Sequence, residues 1–100
     1  MNVKITSRKF KAKDSLKEEI TNELKSLEKY NDDILDANVI LSYTHNKDSI
    51  KTVEINLNIP GKTLSATESN EEYGKALTAT IQKLTKQLKT LKSKRISKTR

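Results

Sequence analysis

Lys75, Lys83, Lys86 and Lys89 are the residues best placed to do chemistry, and that chemistry is the binding of phosphate. An ammonium on a long stem acts as a point charge that holds a phosphate without reading sequence. On a helix turning about 100° per residue, with Lys75 at zero, Lys86 lies near 20°, Lys83 near 80° and Lys89 near 320°. Leu77, Ile81, Leu84, Leu88 and Leu91 centre at roughly 200° on the same wheel. If these apolar residues face a core, the lysines form an outward ridge, with Thr78, Gln82 and Thr85 as neutral hydrogen-bonding neighbours. Lys92, Lys94 and Arg95 continue the charge beyond the apolar seam.

The charge balance separates this ridge from an ordinary solvated face. Residues 1–70 hold eleven basic and eleven acidic side chains, whereas residues 71–100 hold nine basic and two acidic, Glu71 and Glu72. The whole net charge of +7 therefore lies in the last third. An earlier helical stretch shows the contrast, because its Lys17, Lys25 and Lys29 are balanced by Glu18, Glu19, Glu23 and Glu28. Lysines every third residue without acids repel one another, so a polyanion is the expected partner, either a nucleic acid or a membrane surface. A pair of exposed aromatics on a strand, the platform on which bases stack, is missing from the pattern. Tyr30, Tyr43 and Tyr73 are expected at the edge of the core. The pattern favours a folded RNA recognised by shape and charge.

Other chemistry has little to stand on. The chain has no cysteine, and its one histidine, His45, falls in an expected turn, so a typical zinc site cannot be assembled. Asp32, Asp33 and Asp36 do not follow calcium-loop spacing. Gly61 and Gly74 are the only glycines, too few for a phosphate-cradling loop. No serine has a histidine–carboxylate pair to activate it. The expectation is no catalytic residue, no metal, no cofactor and no small-molecule substrate. The N-terminus lacks the apolar run of a signal peptide, and no stretch has the length of a membrane span, so a soluble cytoplasmic protein is expected.

The elements that must position the ridge follow from periodicity. Val3 and Ile5 alternate with polar neighbours as a first strand. Asp14 or Ser15 is the expected N-cap of a helix reaching about Tyr30, with Ser15 and Glu18 at capping-box spacing and Leu16, Ile20, Leu24 and Leu27 as its apolar stripe. Ala37 to Tyr43 and Val53 to Ile59 alternate as strands, Pro60-Gly61 marks a turn, and Leu64 and Ala66 mark a fourth strand. One polar face per strand predicts antiparallel pairing covered on one side. The last helix is expected from Glu71 to about Ser93. The order β-α-β-β-β-α predicts an α+β fold, a four-stranded sheet with two helices packed on one face. The domain is expected to span residues 1–93, with residues 94–100 as a basic flexible tail.

Three features then point to a family. Leu27-Glu28-Lys29-Tyr30 is followed by Asp32 and Ile34. Lys83-Leu84-Thr85-Lys86-Gln87-Leu88 is similar to a Lys-Leu-x-Arg-Gln-Leu motif. The order of elements is similar to that of double-stranded-RNA-binding domains. Together they resemble the ribosome hibernation-promoting factors and ribosome-associated inhibitor A proteins in their short single-domain form, over Asn2 to Arg95. There are departures. Where the family has Asp-x-Tyr-Ala-Ala-Ile-Asp, this chain has Glu72-Tyr73-Gly74-Lys75-Ala76-Leu77-Thr78, so Gly74 stands for the tyrosine and Thr78 for the closing aspartate. Ser7 replaces the usual glycine before the basic residue, which Arg8 matches.

The resemblance implies a translation inhibitor that occupies the mRNA and tRNA channel of the small ribosomal subunit in stationary phase or stress. It implies small-subunit rRNA as partner, a monomer off the ribosome, and Lys83, Lys86 and Lys89 as the leading RNA contacts. Lys75, Lys92, Lys94 and Arg95 come next. Arg8, with Lys4, Lys9 and Lys11, would form a second basic edge. Two other readings of the residues stay open: a general binder of structured RNA, and a peripheral membrane or acidic-protein module using a basic amphipathic helix.

Overall fold

A computed structural model of the chain describes residues 1–8, 11–43 and 50–98, with side chains described up to residue 91. Lys9, Phe10, the His45 turn and the end of the basic tail lie outside the described residues. The elements are β1 (Asn2–Ser7), α1 (Asp14–Ser26) running into a 3-10 turn (Leu27–Lys29), β2 (Asp36–Tyr43), β3 (Lys51–Ile59), β4 (Lys62–Asn70) and α2 (Tyr73–Lys98). This is the expected β-α-β-β-β-α order. The sheet has the order β1-β2-β3-β4. Both helices pack their aliphatic stripes against one face of it, with Ile20, Leu24 and Leu27 meeting Leu77, Leu84 and Leu88 over Val39, Leu41, Val53, Ile55 and Leu57.

Three local expectations are corrected. The sheet is mixed, because β1 pairs parallel to β2 while β2–β3 and β3–β4 are antiparallel. A helix between two neighbouring strands carries the chain back to its starting end, so the second strand runs in the same direction as the first. The helix N-cap is Lys13, with no side-chain cap bond, so the Ser15–Glu18 capping box does not form. Asp14 then sits in the first turn, where its charge complements the helix dipole. Finally, α2 starts at Tyr73 and its backbone stays helical to Lys98, past the expected end near Ser93.

The β3–β4 connection sets the register on which the site depends. Ile59 pairs with Lys62 across a two-residue loop. Pro60 supplies the fixed φ of a turn's first corner, and Gly61 sits at φ 78, a conformation that costs glycine little. The uncovered face of the sheet is polar and internally bonded: Ser65 Oγ donates to Asn56 Oδ1 at 2.7 Å and Thr63 Oγ1 to Asn58 Oδ1 at 2.8 Å.

Candidate nucleic-acid interface

Helix α2 is held to the sheet at three levels. At its start the Tyr73 hydroxyl donates to Ser42 O at 3.1 Å. Burial, and secondarily the nearby Tyr43, raise the Tyr73 pKa above its ordinary value, so it remains a neutral donor at physiological pH. In the middle, Thr80 is fully buried in what would otherwise be an apolar seam. Its hydroxyl donates to Ala76 O at 2.8 Å, so no polar atom is left unmatched there. Further along, Gln87 Nε2 donates to Ser65 O at 3.0 Å and ties the helix to the edge of β4. A helix fastened at these points turns a fixed face outward.

That face carries the expected lysines, but in three different settings. Lys75, Lys83, Lys86 and Lys89 are all exposed. Lys83 forms an ion pair with Glu68 of β4, its own side chain 57% exposed and that of Glu68 27%. Lys89 lies on the opposite flank, its Nζ 5.4 Å from the centre of the Tyr30 ring, within cation–π range. Lys75 pairs with Glu72 at 3.0 Å, one helical turn back. Lys86, between the two flanks, has no ion pair among the described residues. The ridge is thus a band across the exposed side of α2, with one unpaired ammonium at its centre.

The remaining candidates fall elsewhere. Arg8 follows β1, at the far edge of the sheet from β4, and its backbone N donates to Leu41 O at 2.9 Å. The structure does not bring it to the α2 band. Lys4 on β1 and Lys11 are both exposed, and Lys9 lies outside the described residues. Lys92, Lys94 and Arg95 extend the backbone of α2, but their side chains lie outside the described residues.

The family departures are locally accommodated. A Cβ added to Gly74 would meet Glu19 Oε1 at 3.5 Å, an ordinary contact, so no close approach demands glycine there. Thr78 Oγ1 donates to Gly74 O at 3.0 Å.

Lys62 is a cation that sequence reasoning missed. The tight turn at Pro60-Gly61 places it at the head of β4, where it shares a groove with Lys83 and Lys86. Its spacing from α2 in the chain carries no periodic signal; only the Pro-Gly turn hints at its position. Among the described residues no group of His, Asp or Glu is placed to hold a metal ion, and no helix is long and apolar enough to cross a membrane.

Comparison with known proteins bears on this geometry. A family model described as Sigma 54 modulation protein / S30EA ribosomal protein matches residues 3–96. The crystal structure of the N-terminal domain of Protein Y from Thermus thermophilus is similar with a TM-score of 0.82 and 25% identity, covering 91% of this chain and 99% of that one. A ribosomal subunit interface protein from Coxiella burnetii is similar with a TM-score of 0.83 and 25% identity, covering 93% of this chain and 99% of that one. No curated protein matches the chain significantly.

Proposed function

Because the chain belongs to the Sigma 54 modulation protein / S30EA ribosomal protein family, we propose that it binds the small ribosomal subunit and inhibits translation by occupying the channel of mRNA and tRNA. In this reading it is a cytoplasmic hibernation factor of stationary phase or stress, monomeric off the ribosome. Catalysis plays no part: a folded wedge sits where message and anticodons must sit. The observation that carries the reading is the conjunction of a family match over residues 3–96 with a helix whose exposed charged side chains, among the described residues, are all lysines. Lys83, Lys86 and Lys89 make the main rRNA contacts, supported by Lys75, Lys92, Lys94 and Arg95. Arg8 forms a separate, lesser contact.

Burial argues against the membrane alternative. Leu77, Leu84 and Leu88 are at most 1% exposed, so among the described residues the apolar seam of α2 is committed to the sheet and not free to lie in a bilayer. A basic band with its leucines committed to a core is suited to a rigid polyanion.

The test is a sucrose gradient of purified chain with small subunits across a salt series. With roughly four to six phosphate contacts, the affinity should fall about 150- to 1800-fold between 50 and 200 mM salt. A chain that stays at the top of the gradient at low salt, or a complex indifferent to salt, overturns the proposal. Competition by bulk double-stranded RNA at equal strength would assign it to general RNA binding instead.

Glu68 gives a finer prediction. Its carboxylate occupies Lys83, so an incoming phosphate must displace it. An ion pair this exposed is worth roughly 0.2–1 kcal/mol. Glu68→Gln should therefore tighten small-subunit binding about 1.5- to 5-fold at low salt, read from a filter-binding isotherm. Unchanged or weaker binding would mean that Lys83 does not meet phosphate.

A further inference from the structure

We propose that the groove between β4 and α2 receives one unstacked nucleotide of the bound RNA strand, its base lying on an aliphatic floor and its phosphates on a lysine rim. This rests on the RNA-binding reading above and extends it from phosphate contacts to a base site. The groove is open, with a volume of about 470 Å³, within the size range of small-molecule sites. Leu64, almost fully buried, and the half-buried Leu91 give it an apolar floor. Lys62, Lys83 and Lys86 stand around it, drawn from both elements. Glu68 pairs with Lys83 alone and so offsets one of the three charges.

The chemistry of the lining selects the occupant. Three ammoniums alone would hold any phosphate, and they would do so on a flat surface. Here they surround the half-buried Leu91, whose exposed part stays hydrated until something apolar covers it, with Leu64 packed beneath. An RNA nucleotide offers both parts, a flat weakly polar ring beside phosphates. Gln87 adds a fixed hydrogen-bonding atom. Ser65 O can only accept, so the Gln87 amide must present its NH₂ to it, at 3.0 Å. The Oε1 of Gln87 remains as an acceptor held in place by that bond. Every RNA base carries an N–H that such an oxygen can accept, so the site fits a base without choosing strongly among bases. It supplies with leucine the base platform that, among the described strands, no pair of exposed aromatics provides.

The experiment compares two probes on the isotopically labelled full chain by NMR: a single-stranded RNA hexamer, and an abasic ribose-phosphate hexamer of equal length and charge. The RNA hexamer should bind roughly fivefold tighter, as expected from covering a few tens of Å² of leucine surface. It should also shift the Leu64 and Leu91 methyl groups and the Gln87 side-chain amide. The abasic hexamer should move lysine signals alone. Leu91→Ser should remove the difference between the probes while leaving the abasic affinity intact. Equal affinity of the two probes for the wild-type chain overturns the proposal, as does an acidic peptide of equal charge that binds the groove more tightly than the RNA. The ribosomal reading fails separately. Cosedimentation with small subunits without any base preference sinks only the groove, and base preference without cosedimentation sinks only the ribosome.

Discussion

Charge reversal at Lys83, Lys86 and Lys89 together is expected to abolish binding to the small subunit and to leave the fold in place. Each substitution removes a cation and adds an anion, so the net charge falls from +7 by six units to +1. Losing three phosphate contacts should lower the log–log salt slope by about 2–3. Affinity at 100 mM salt should drop by roughly a thousandfold or more, once repulsion by the new carboxylates is included. None of the three side chains belongs to the core, which keeps Leu84 and Leu88 fully packed between them. The structural losses are small: the exposed Lys83–Glu68 pair and the Lys89 contact with Tyr30, each about 1 kcal/mol or less. Far-ultraviolet circular dichroism should be superimposable on the wild type, with a modest fall in Tm. Retained cosedimentation by the triple variant would remove the α2 band as the interface. A single reversal separates the lysines. Lys86→Glu, at a lysine with no ion pair among the described residues, should cost more than Lys75→Glu, whose ammonium is already engaged by Glu72.

How legible this surface was depends on the range over which each feature is encoded. The helical seam Leu77, Ile81, Leu84, Leu88 was readable because one element repeats it with a single period, and the structure buries all four. Thr80 was not readable. A hydroxyl in the seam looks like a surface residue until Ala76 O is seen to accept from it. The outward direction of the lysines followed from the same period, but their partners did not. Glu68 and Lys83 lie on different elements, and only the register of β4 against α2 brings them together. The groove is illegible for the same reason, since Lys62 reaches it through a turn and Leu64 through a strand. The parallel pairing of β1 and β2 was implicit in the β-α-β order. Alternation along a strand reports which face is buried and says nothing about the direction of its neighbour.

Leu84→Ala tests the other half of the claim, that the scaffold and not the charge alone makes the interface. Leu84 is fully buried where α2 crosses the sheet, directly beside Lys83 in the chain. Removing its isopropyl group leaves a cavity that the sheet cannot readily fill, at a cost of about 2–5 kcal/mol. Against a stability of roughly 5–15 kcal/mol for a small domain, that is a large share. For a domain of this size the Tm should fall by roughly 10 °C or more. Every cation is retained in this variant, so its behaviour separates two kinds of binding. If the lysines act as a fixed band, the variant binds small subunits as tightly as wild type well below its Tm and loses binding in step with the loss of helical circular dichroism. A disordered cationic segment would show no such coupling, because the same charges would still meet phosphate after unfolding. A variant that is folded by circular dichroism yet fails to bind would show that the leucine face itself meets the partner, contrary to its burial here.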